Sequence, residues 1–270
     1  MSGEEAAIAR TTGGPVTASR LRAGLQGLGV RAGDRLLVHA SLSALGFVPG
    51  GAQTVIEVLT ALVGRTGLLV MPAFSSDLSD PAGWQAPPVP ADWVDPIRAE
   101  MPVYDPRLSP TRGLGTIAEV FRSAPGVIRS LHPQVSFAAW GEGADAITAP
   151  HPLDGWMGEA SPLARLYDAE ARVLFLGTGY ATCTAFHLAE HRAGKLRLTR
   201  TGLPAWVDGA RHWITVDAPD YDDGDFETIG ADLDAQLNPS ASGQVGMAAC
   251  RLLPMRMIVD AATEWMRGHR

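Results

Sequence analysis

The sequence predicts a layered α/β/α fold with a central mixed, partly parallel sheet. Two short apolar runs, RLLVHAS and GLLVMPAF, flank an amphipathic helical segment and so form a β-α-β unit. Such a unit makes its strands parallel neighbours in a sheet covered by helices. The 270 residues, of which 46% are hydrophobic and 19% charged, can form one large domain or two modest ones. We predict a single α/β domain over residues 1–270.

The remaining elements follow from hydrophobic spacing and from turn signals. Residues 1–14 are expected to be a frayed leader, and VTASRLRAGLQGLGV a helix capped by Thr17 or Ser19. GLGTIAEVFRSAPGV predicts another helix, which its Pro-Gly pair ends. VSFAAWG, ARVLFLGTG and HWITVDA predict strands, and TAFHLAEHRAG predicts a helix that Gly194 ends. GMAACRLLPMRMIVDAATEWMRG mixes strand and helix signals without a clear boundary.

Residues 76–112 have a different character from the rest of the chain. They are rich in Pro, Asp and Trp and show no sustained hydrophobic period. A long irregular segment inside a compact domain is usually functional or disordered. Its large side chains Trp84, Trp93 and Tyr104 favour an ordered lid or pocket wall. We predict a substrate-facing insert.

Charge and cysteine content limit the function. The net charge of −7 argues against nucleic acid and anionic membranes as partners and suits a cationic ligand, although solubility alone explains it equally well. Cys183 and Cys250 are too few for a disulfide framework or a thiolate zinc cluster. The chain shows neither a signal-peptide pattern nor an apolar run near the ~20 residues of a membrane span. We expect a cytoplasmic enzyme, monomeric or homodimeric.

The stretch HLAEH, residues 187–191, raises the question of a metal site. It reads as H-x-x-E-H, in which His187 and His191 share a helix face and can ligate zinc while Glu190 acts as general base. A third ligand is not evident after it. The stretch also directly follows a strand and a glycine turn, where open α/β sheets bind ligands, and this favours a catalytic histidine near the helix start. His191, near the helix end, is expected to pack or to face solvent.

Seven blocks, in order, resemble the aminoglycoside 3-N-acetyltransferase (antibiotic acetyltransferase) family. They are VHASLSALG, LLVMPAF, SPTRGLGTIAEVFR, RSLHPQVSFAAWG, GEASPLARLY, VLFLGTGYATCTAFHLAEHRAG and GQVGMAACRLLPMRMIVDAATEWM. Together they span about residues 20–265. The resemblance implies transfer of acetyl from acetyl-CoA to the 3-amino group of a 2-deoxystreptamine aminoglycoside, giving antibiotic resistance, with no metal.

By this resemblance His187 is the catalytic histidine that takes the proton of the attacking amine. Histidine suits the role because its pKa lies near the working pH. Such a base needs a carboxylate to fix its tautomer. The family supplies it from a downstream strand-to-loop segment, here DAPDYDDGDFE, and Asp220 and Asp222 are our choices, with Asp223 possible. A solvated acidic turn is the competing interpretation for each of them.

The donor site is expected along two stretches that permit close backbone approach. CoA phosphates and the pantetheine arm are predicted to contact Ser41, Leu42, Ser43, Arg112, Gly113, Leu114, Gly115 and Thr116, with Ser136 and Phe137 adding to this wall.

The acceptor is a polycation, so carboxylates should line its pocket. The expected substrate-facing residues are Asp77, Asp80, His151, Asp223, Glu190 and His39. Glu190 can instead pair with a neighbouring basic residue, and His39 can be a core histidine. His132 is expected to be structural. Acetylation of a non-antibiotic amine such as a biosynthetic intermediate, a zinc hydrolase and a non-catalytic binding protein stay as alternatives.

Overall fold

The structure, a computed structural model, describes residues 3–194, 196–235 and 242–270. The strands within these residues are β1 (Arg35–Ala40), β2 (Leu68–Pro72), β3 (Ile128–Arg129), β4 (Phe137–Gly141), β5 (Arg172–Leu176), β6 (Leu198–Val207), β7 (Ala210–Pro219), β8 (Ser242–Val245) and β9 (Ala248–Pro254). The α-helices are α1 (Gly3–Arg10), α2 (Ala18–Gly27), α3 (Gly51–Val63), α4 (Val94–Glu100), α5 (Gly115–Arg122), α6 (Ala144–Thr148), α7 (Pro162–Asp168), α8 (Ala185–Ala193), α9 (Phe226–Asp234) and α10 (Met255–His269).

The central sheet is mixed and partly parallel, which confirms the predicted fold class. Its strand order across the described residues is β3-β4-β2-β1-β5-β9-β8. β1 is parallel to both neighbours, with Leu36 opposite Leu69 of β2 and Arg172 of β5. β4 and β9 join this parallel centre in antiparallel orientation. The unit β1-α3-β2 is therefore the predicted β-α-β crossover.

Helices cover both faces of the sheet, because successive strand residues point to opposite sides. Leu36 and Val38 of β1 pack in a core with α2, α3 and α5, whereas Leu37 packs in a second core with α7 to α10. The second core carries α8, the helix that contains HLAEH. Phe186 and Leu188 of α8 are fully buried there, and this burial fixes which way the polar residues of the helix point.

One predicted helix start, at α2, and one predicted helix end, at α8, are confirmed. Thr17 caps α2, since its Oγ1 accepts a hydrogen bond from the backbone N–H of Arg20. Gly194 ends α8 in the left-handed conformation at φ 74°.

The expected frayed leader, residues 1–14, contains a helix in its described part, residues 3–14. α1 forms there, with Glu4 and Glu5 in its first turn and Arg10 in its last, an arrangement that suits the helix dipole. Thr11 then docks the segment, since its Oγ1 accepts from the N–H of Phe47 at 2.7 Å. Residues 1 and 2 lie outside the described residues.

Two further elements differ from the sequence expectations. HWITVDA lies in β7 as predicted, but β7 pairs with β6 in a two-stranded hairpin whose first strand we did not predict. LTRTGLPAWV of β6 contains Gly202 and Pro204 and lacks the alternation typical of strands. The mixed signals of the last segment are separated at Pro254, where β9 ends and α10 begins.

The insert, residues 76–112, contains α4 and two 3₁₀ turns at Pro81–Gly83 and Ala91–Trp93. Arg98 of α4 forms a two-pronged ion pair with Asp80, with N–O distances of 3.0 and 2.9 Å. Arg211 of β7 donates to the backbone carbonyls of Arg98 and Met101. Hydrogen bonds therefore hold the insert in place against the hairpin, although it contains little regular structure.

A pair of helical glycines gives a test of the packing around the turn that leads into α8. A Cβ at Gly230 of α9 would lie 2.0 Å from the ring of Tyr180, whereas one at Gly268 of α10 would meet nothing within 4 Å. We expect Gly230→Ala to lower the unfolding free energy by about 1–3 kcal/mol through overpacking. Gly268→Ala should be neutral or gain up to ~1 kcal/mol. Urea unfolding of both variants measures this, and equal stabilities would contradict the described packing.

Candidate active site

Two connected cavities open where β1, β2 and β5 end. This edge is where open α/β sheets bind ligands, because the loops after parallel strands leave a crevice there. The smaller cavity has a volume of about 300 Å³. Its lining includes His39 at the end of β1, Pro72 at the end of β2, Thr178 after β5, and His187 of α8.

The larger cavity, of about 930 Å³, lies beside the smaller one. The two share the lining residues Ala40, Gly113, Leu114, Thr178 and Thr182, so they adjoin along this wall. Of the predicted donor-site residues, the larger cavity is lined by Ser41, Leu42, Ser43, Gly113, Leu114, Gly115 and Thr116.

His187 lies between this space and a buried carboxylate. Its Nδ1 is 2.5 Å from Oε2 of Glu190, one helical turn further along α8. The side chain of Glu190 is 1% exposed and that of His187 is 13% exposed. Because Nδ1 is bonded to the carboxylate, the ring holds its proton there and presents the lone pair of Nε2. Nε2 has no hydrogen-bond partner among the described residues.

Glu190 is held by two further donors. Its Oε1 accepts from the backbone N–H of Asp222 at 3.1 Å and from Nη1 of Arg270 at 2.5 Å. A buried carboxylate that accepts several hydrogen bonds, one of them from a cation, is stabilised in its ionised form. The arrangement therefore places a fixed negative charge behind His187.

Aromatic rings enclose the other sides of His187. The rings of Tyr221 and Phe226 lie 4.6 and 5.0 Å from its ring, measured between centroids. The hydroxyl of Tyr221 is 2.7 Å from Nε2 of His191 and accepts from the N–H of Met157. His191 therefore orients an aromatic neighbour of His187 and does not line either cavity.

His39 is a second histidine in the smaller cavity. Burial, and then the charge of the nearby His187, lower the pKa of His39 from 6.5 to about 3. Its Nε2 lies 3.4 Å from Oγ1 of Thr184, and its ring stacks on Phe175. At neutral pH it is an uncharged polar group in the wall of the smaller cavity. Of the two expected roles, a substrate-facing residue and a core histidine, this position suits the first.

Comparison with known proteins identifies the family. The profile described as aminoglycoside 3-N-acetyltransferase matches residues 37–267. The chain belongs to this family. It is 42% identical to the prophage-derived aminoglycoside N(3')-acetyltransferase-like protein YokD of Bacillus subtilis, over 96% of this chain and 95% of that protein. It is 39% identical to aminoglycoside N(3)-acetyltransferase VII of Streptomyces paromomycinus, over 97% of this chain and 96% of that one.

Solved structures agree with this membership of the aminoglycoside 3-N-acetyltransferase family. The crystal structure of YokD superposes with a TM-score of 0.95 at 41% identity, covering 98% of each chain. The structure described as AAC-IIIb binary with CoASH superposes with a TM-score of 0.82 at 32% identity, covering 94% of this chain and 97% of that one. AAC-VIa bound to sisomicin superposes with a TM-score of 0.82 at 32% identity, covering 95% of this chain and 99% of that one. The chain is thus an acyltransferase of the aminoglycoside 3-N-acetyltransferase type.

In this acetyltransferase, the carboxylate against His187 is that of Glu190 and not that of Asp220 or Asp222. Both aspartates are exposed, and the Asp222 side chain accepts from the N–H of Gly224. Asp222 reaches the site through its backbone, whose N–H donates to Glu190 and whose carbonyl accepts from Arg270. The prediction of an orienting aspartate therefore does not match the geometry, because the helical spacing of three residues brings Glu190 closer than any loop residue.

Three other predicted site residues are part of the core. His151 is buried with Nδ1 bonded to Oγ of Ser130 and Nε2 to the carbonyl of Trp156, so it does not line the acceptor cavity as expected. Ser136 donates to the carbonyl of Ala73, and Phe137 is fully buried, so neither adds to the donor wall. His132 is structural as predicted, since its Nδ1 accepts two backbone N–H groups.

The predicted acidic residues of the acceptor site differ in their surroundings. Asp223 is exposed and lines the smaller cavity. Asp77 is half-exposed and forms an ion pair with Arg112 at 3.0 Å. Asp80 has both oxygens bonded to Arg98, and Oδ1 also accepts from the N–H of Ala82. Of these three, only Asp223 lines the smaller cavity and has no cationic partner among the described residues.

The H-x-x-E-H zinc hypothesis finds no third ligand in the described part of the chain. No group of three or more His, Cys, Asp or Glu side chains there is arranged to hold a metal ion. One ring nitrogen of His187 is hydrogen-bonded to Glu190, and one ring nitrogen of His191 is hydrogen-bonded to Tyr221. As to membranes, none of the described helices combines the length and the apolar character that crossing one requires.

Residues that the sequence did not indicate complete the site. Three residues contact Glu190 or His187 from other parts of the chain: Tyr221 before α9, Phe226 at the start of α9, and Arg270 directly after α10. Their separation from α8 in sequence, up to 80 residues for Arg270, leaves no local pattern that predicts the contact.

Buried histidines make stability depend on pH. Burial lowers the pKa of His39, His132 and His151 from 6.5 to about 3, 3 and 4. Their folded-state pKa lies below the unfolded value, so below pH 6.5 the unfolded chain binds protons that the folded chain does not. Each histidine's contribution to the unfolding free energy is fully present above pH 6.5. As the pH falls from 6.5 toward 4, it is lost by about 1.4 kcal/mol per pH unit.

We therefore expect the unfolding free energy to fall steeply between pH 6.5 and 4.5. His151→Asn should make this dependence shallower by the share of one histidine, since the variant has one group fewer to protonate on unfolding. Urea unfolding at several pH values gives both slopes. Identical slopes in the variant and the parent would show that His151 titrates alike in both states.

Proposed function

We propose that this enzyme transfers the acetyl group of acetyl-CoA to the 3-amino group of 2-deoxystreptamine aminoglycosides and so gives resistance to them. The observation that carries the proposal is the pairing of His187 with the buried Glu190 at the wall of a two-part cavity. This geometry supports a general base, because a carboxylate on Nδ1 fixes the tautomer and stabilises the imidazolium. The cytoplasmic location and the monomeric or dimeric state remain predictions.

The larger cavity suits the donor. Its 930 Å³ exceeds the smaller cavity threefold, and CoA is the longer of the two substrates. The hydroxyls of Ser41 and Ser43 lie at its wall, as do the glycines 113 and 115 at the start of α5, where backbone can approach a ligand closely. The related AAC-IIIb was solved with CoASH, which supports CoA as the donor.

The smaller cavity suits the acceptor amine. His187 and Asp223 both line it, so a base and a carboxylate face the same space. A polycation is attracted by exposed carboxylates and by the net charge of −7. The related AAC-VIa bound to sisomicin supports an aminoglycoside. Acetylation of another amine would use the same base and stays the alternative, since Asp77 and Asp80 of the insert are engaged in ion pairs within the enzyme.

The reaction needs a free amine, a nearby thioester and one proton transfer. The amine nitrogen attacks the thioester carbonyl carbon, and Nε2 of His187 takes a proton from that nitrogen. Collapse of the tetrahedral intermediate breaks the C–S bond and gives the amide. The thiolate of CoA then takes the proton that His187 carries, so the imidazole is regenerated. Glu190 stays ionised and stabilises the imidazolium during the step.

The two substrates must meet where the cavities join. Ala40, Gly113, Leu114, Thr178 and Thr182 form this junction, and we place the thioester carbonyl there. Backbone N–H groups at the junction are the candidate donors to a developing oxyanion, because the hydroxyls of Thr178 and Thr182 donate to the carbonyls of His39 and Gly179.

His187→Ala should lower kcat at least ~10²-fold, the usual contribution of a positioned proton transfer. The assay is thiol release from acetyl-CoA with a panel of 2-deoxystreptamine antibiotics and unrelated amines. The acidic limb of kcat/KM should disappear in the variant, because that limb reports protonation of the base. Acetyl-CoA binding, measured directly, should change little.

His191→Ala is the matched comparison on the same helix. It removes the hydrogen bond to Tyr221 and should cost mainly stability. If folded His187→Ala keeps most of its kcat, the base is another group and His39 is the next to test. Thiol release with unrelated amines but with no aminoglycoside would favour the alternative acceptor.

Asp223→Asn should raise the acceptor KM about 2- to 5-fold, as for loss of one exposed ion pair. The acceptor KM should also rise with salt, and less so in the variant, because screening weakens an interaction that the variant lacks. Acetyl-CoA KM should not rise.

Asp80→Asn is the control, since its carboxylate is held by Arg98. It should lower stability and leave the acceptor KM unchanged. An acceptor KM that responds to Asp80→Asn and not to Asp223→Asn would move the acceptor site from the smaller cavity to the insert.

A further inference from the structure

Arg270 contacts the carboxylate behind His187 from a distant part of the chain. Its Nη1 is 2.5 Å from Oε1 of Glu190, while Oε2 of the same carboxylate bonds His187. Arg270 follows α10, whose apolar face packs in the same core as α8. The contact is thus set by the packing of two helices and not by local sequence.

Other partners fix the guanidinium group independently of Glu190. Asp225 binds it in a two-pronged ion pair, with N–O distances of 2.7 and 2.5 Å, and Nη2 also donates to the carbonyl of Asp222. The Arg270 side chain is 20% exposed and that of Glu190 only 1%. The planar fork of arginine is suited to this double role, because two separate edges can bind two carboxylates.

We propose that Arg270 is a positioning residue that keeps Glu190 ionised and aligned and so sets the pH at which His187 becomes the free base. This inference rests on the proposed function of His187 as general base.

A cation beside the His187–Glu190 pair disfavours an added proton on that pair. Without Arg270, the buried carboxylate loses its compensating charge and the pair binds its proton more tightly. The base is then protonated up to a higher pH. Loss of Arg270 should therefore move the acidic limb of the kcat/KM profile to higher pH.

Other titratable and charged groups also face the pair, and each is retained in the proposed variants. They are His191 on the same helix, His39 on β1, and Tyr221, Asp222, Asp223 and Asp225 before α9. Since only Arg270 changes, a moved limb reports its charge.

The test compares Arg270→Met, Arg270→Lys and Arg256→Met. Methionine keeps much of the aliphatic length without charge, and lysine keeps the charge without the fork. Arg256 is the control on α10, because it binds Glu170 and two backbone carbonyls and does not contact the site. We measure kcat/KM against pH, melting temperature, and the protonation of His187 by NMR of the imidazole.

Arg270→Met should move the acidic limb and the His187 midpoint up by about 1 pH unit, the lower end of the shift that a nearby charge causes. Arg270→Lys should move them less, and Arg256→Met not at all. An unmoved midpoint in folded Arg270→Met, by NMR and by kinetics, overturns the inference. So does an equal shift in Arg256→Met. If Arg270→Met does not fold, an Arg270→Lys profile identical to the parent, with unchanged kcat, also overturns it.

The proposed function fails separately. If His187→Ala keeps its activity, His187 is not the base, whatever the Arg270 variants show. If His187→Ala is inactive and the Arg270 variants leave the midpoint unmoved, the base stands and the role of Arg270 is structural.

Discussion

The carboxylate of Glu190 is nearly inaccessible to water, and the surrounding architecture accommodates its charge. Three donors reach it, from His187, from the backbone of Asp222 and from Arg270. Burying an ionised group without such partners costs several kcal/mol. Because the donors come from α8, from the segment after β7 and from the end of α10, the three must pack in one arrangement for the charge to be tolerated. The site thereby constrains the fold on this face of the sheet.

The fold in turn limits where chemistry can occur. β1, β2 and β5 run toward the same edge. The end of β1 and the segment after β5 line both cavities, and the end of β2 lines the smaller one. α8 begins shortly after β5, through the short turn Tyr180–Thr182, so its first turn points to that edge. His187 lies in this first turn and Glu190 one turn further in. The imidazole therefore reaches the cavity while the carboxylate stays in the core.

The sequence predicted the parts that depend on local pattern. Hydrophobic runs gave β1, β2 and β5, and capping residues gave α2 and α8. The glycine-rich start of α5 and the serines after β1, to which the family resemblance assigns CoA binding, line the larger cavity. Glu190 was considered as a metal-site base, a partner of a basic residue or a substrate contact, but not as the partner of His187. Arg270 could not be found, since only tertiary packing brings it to α8.

In the proposed function, acceptor recognition and proton transfer depend on different elements. The proposed base and its carboxylate are on α8, whereas Asp223, the carboxylate proposed to attract the acceptor, lies before α9 and lines the smaller cavity. A change at Asp223 would therefore alter acceptor binding without moving His187. A change at Arg270 would do the opposite, because it acts on the charge behind the proposed base and Arg270 lines neither of the two cavities. Under this proposal one proton-transfer site can serve different amines, with selectivity set by the residues around the smaller cavity.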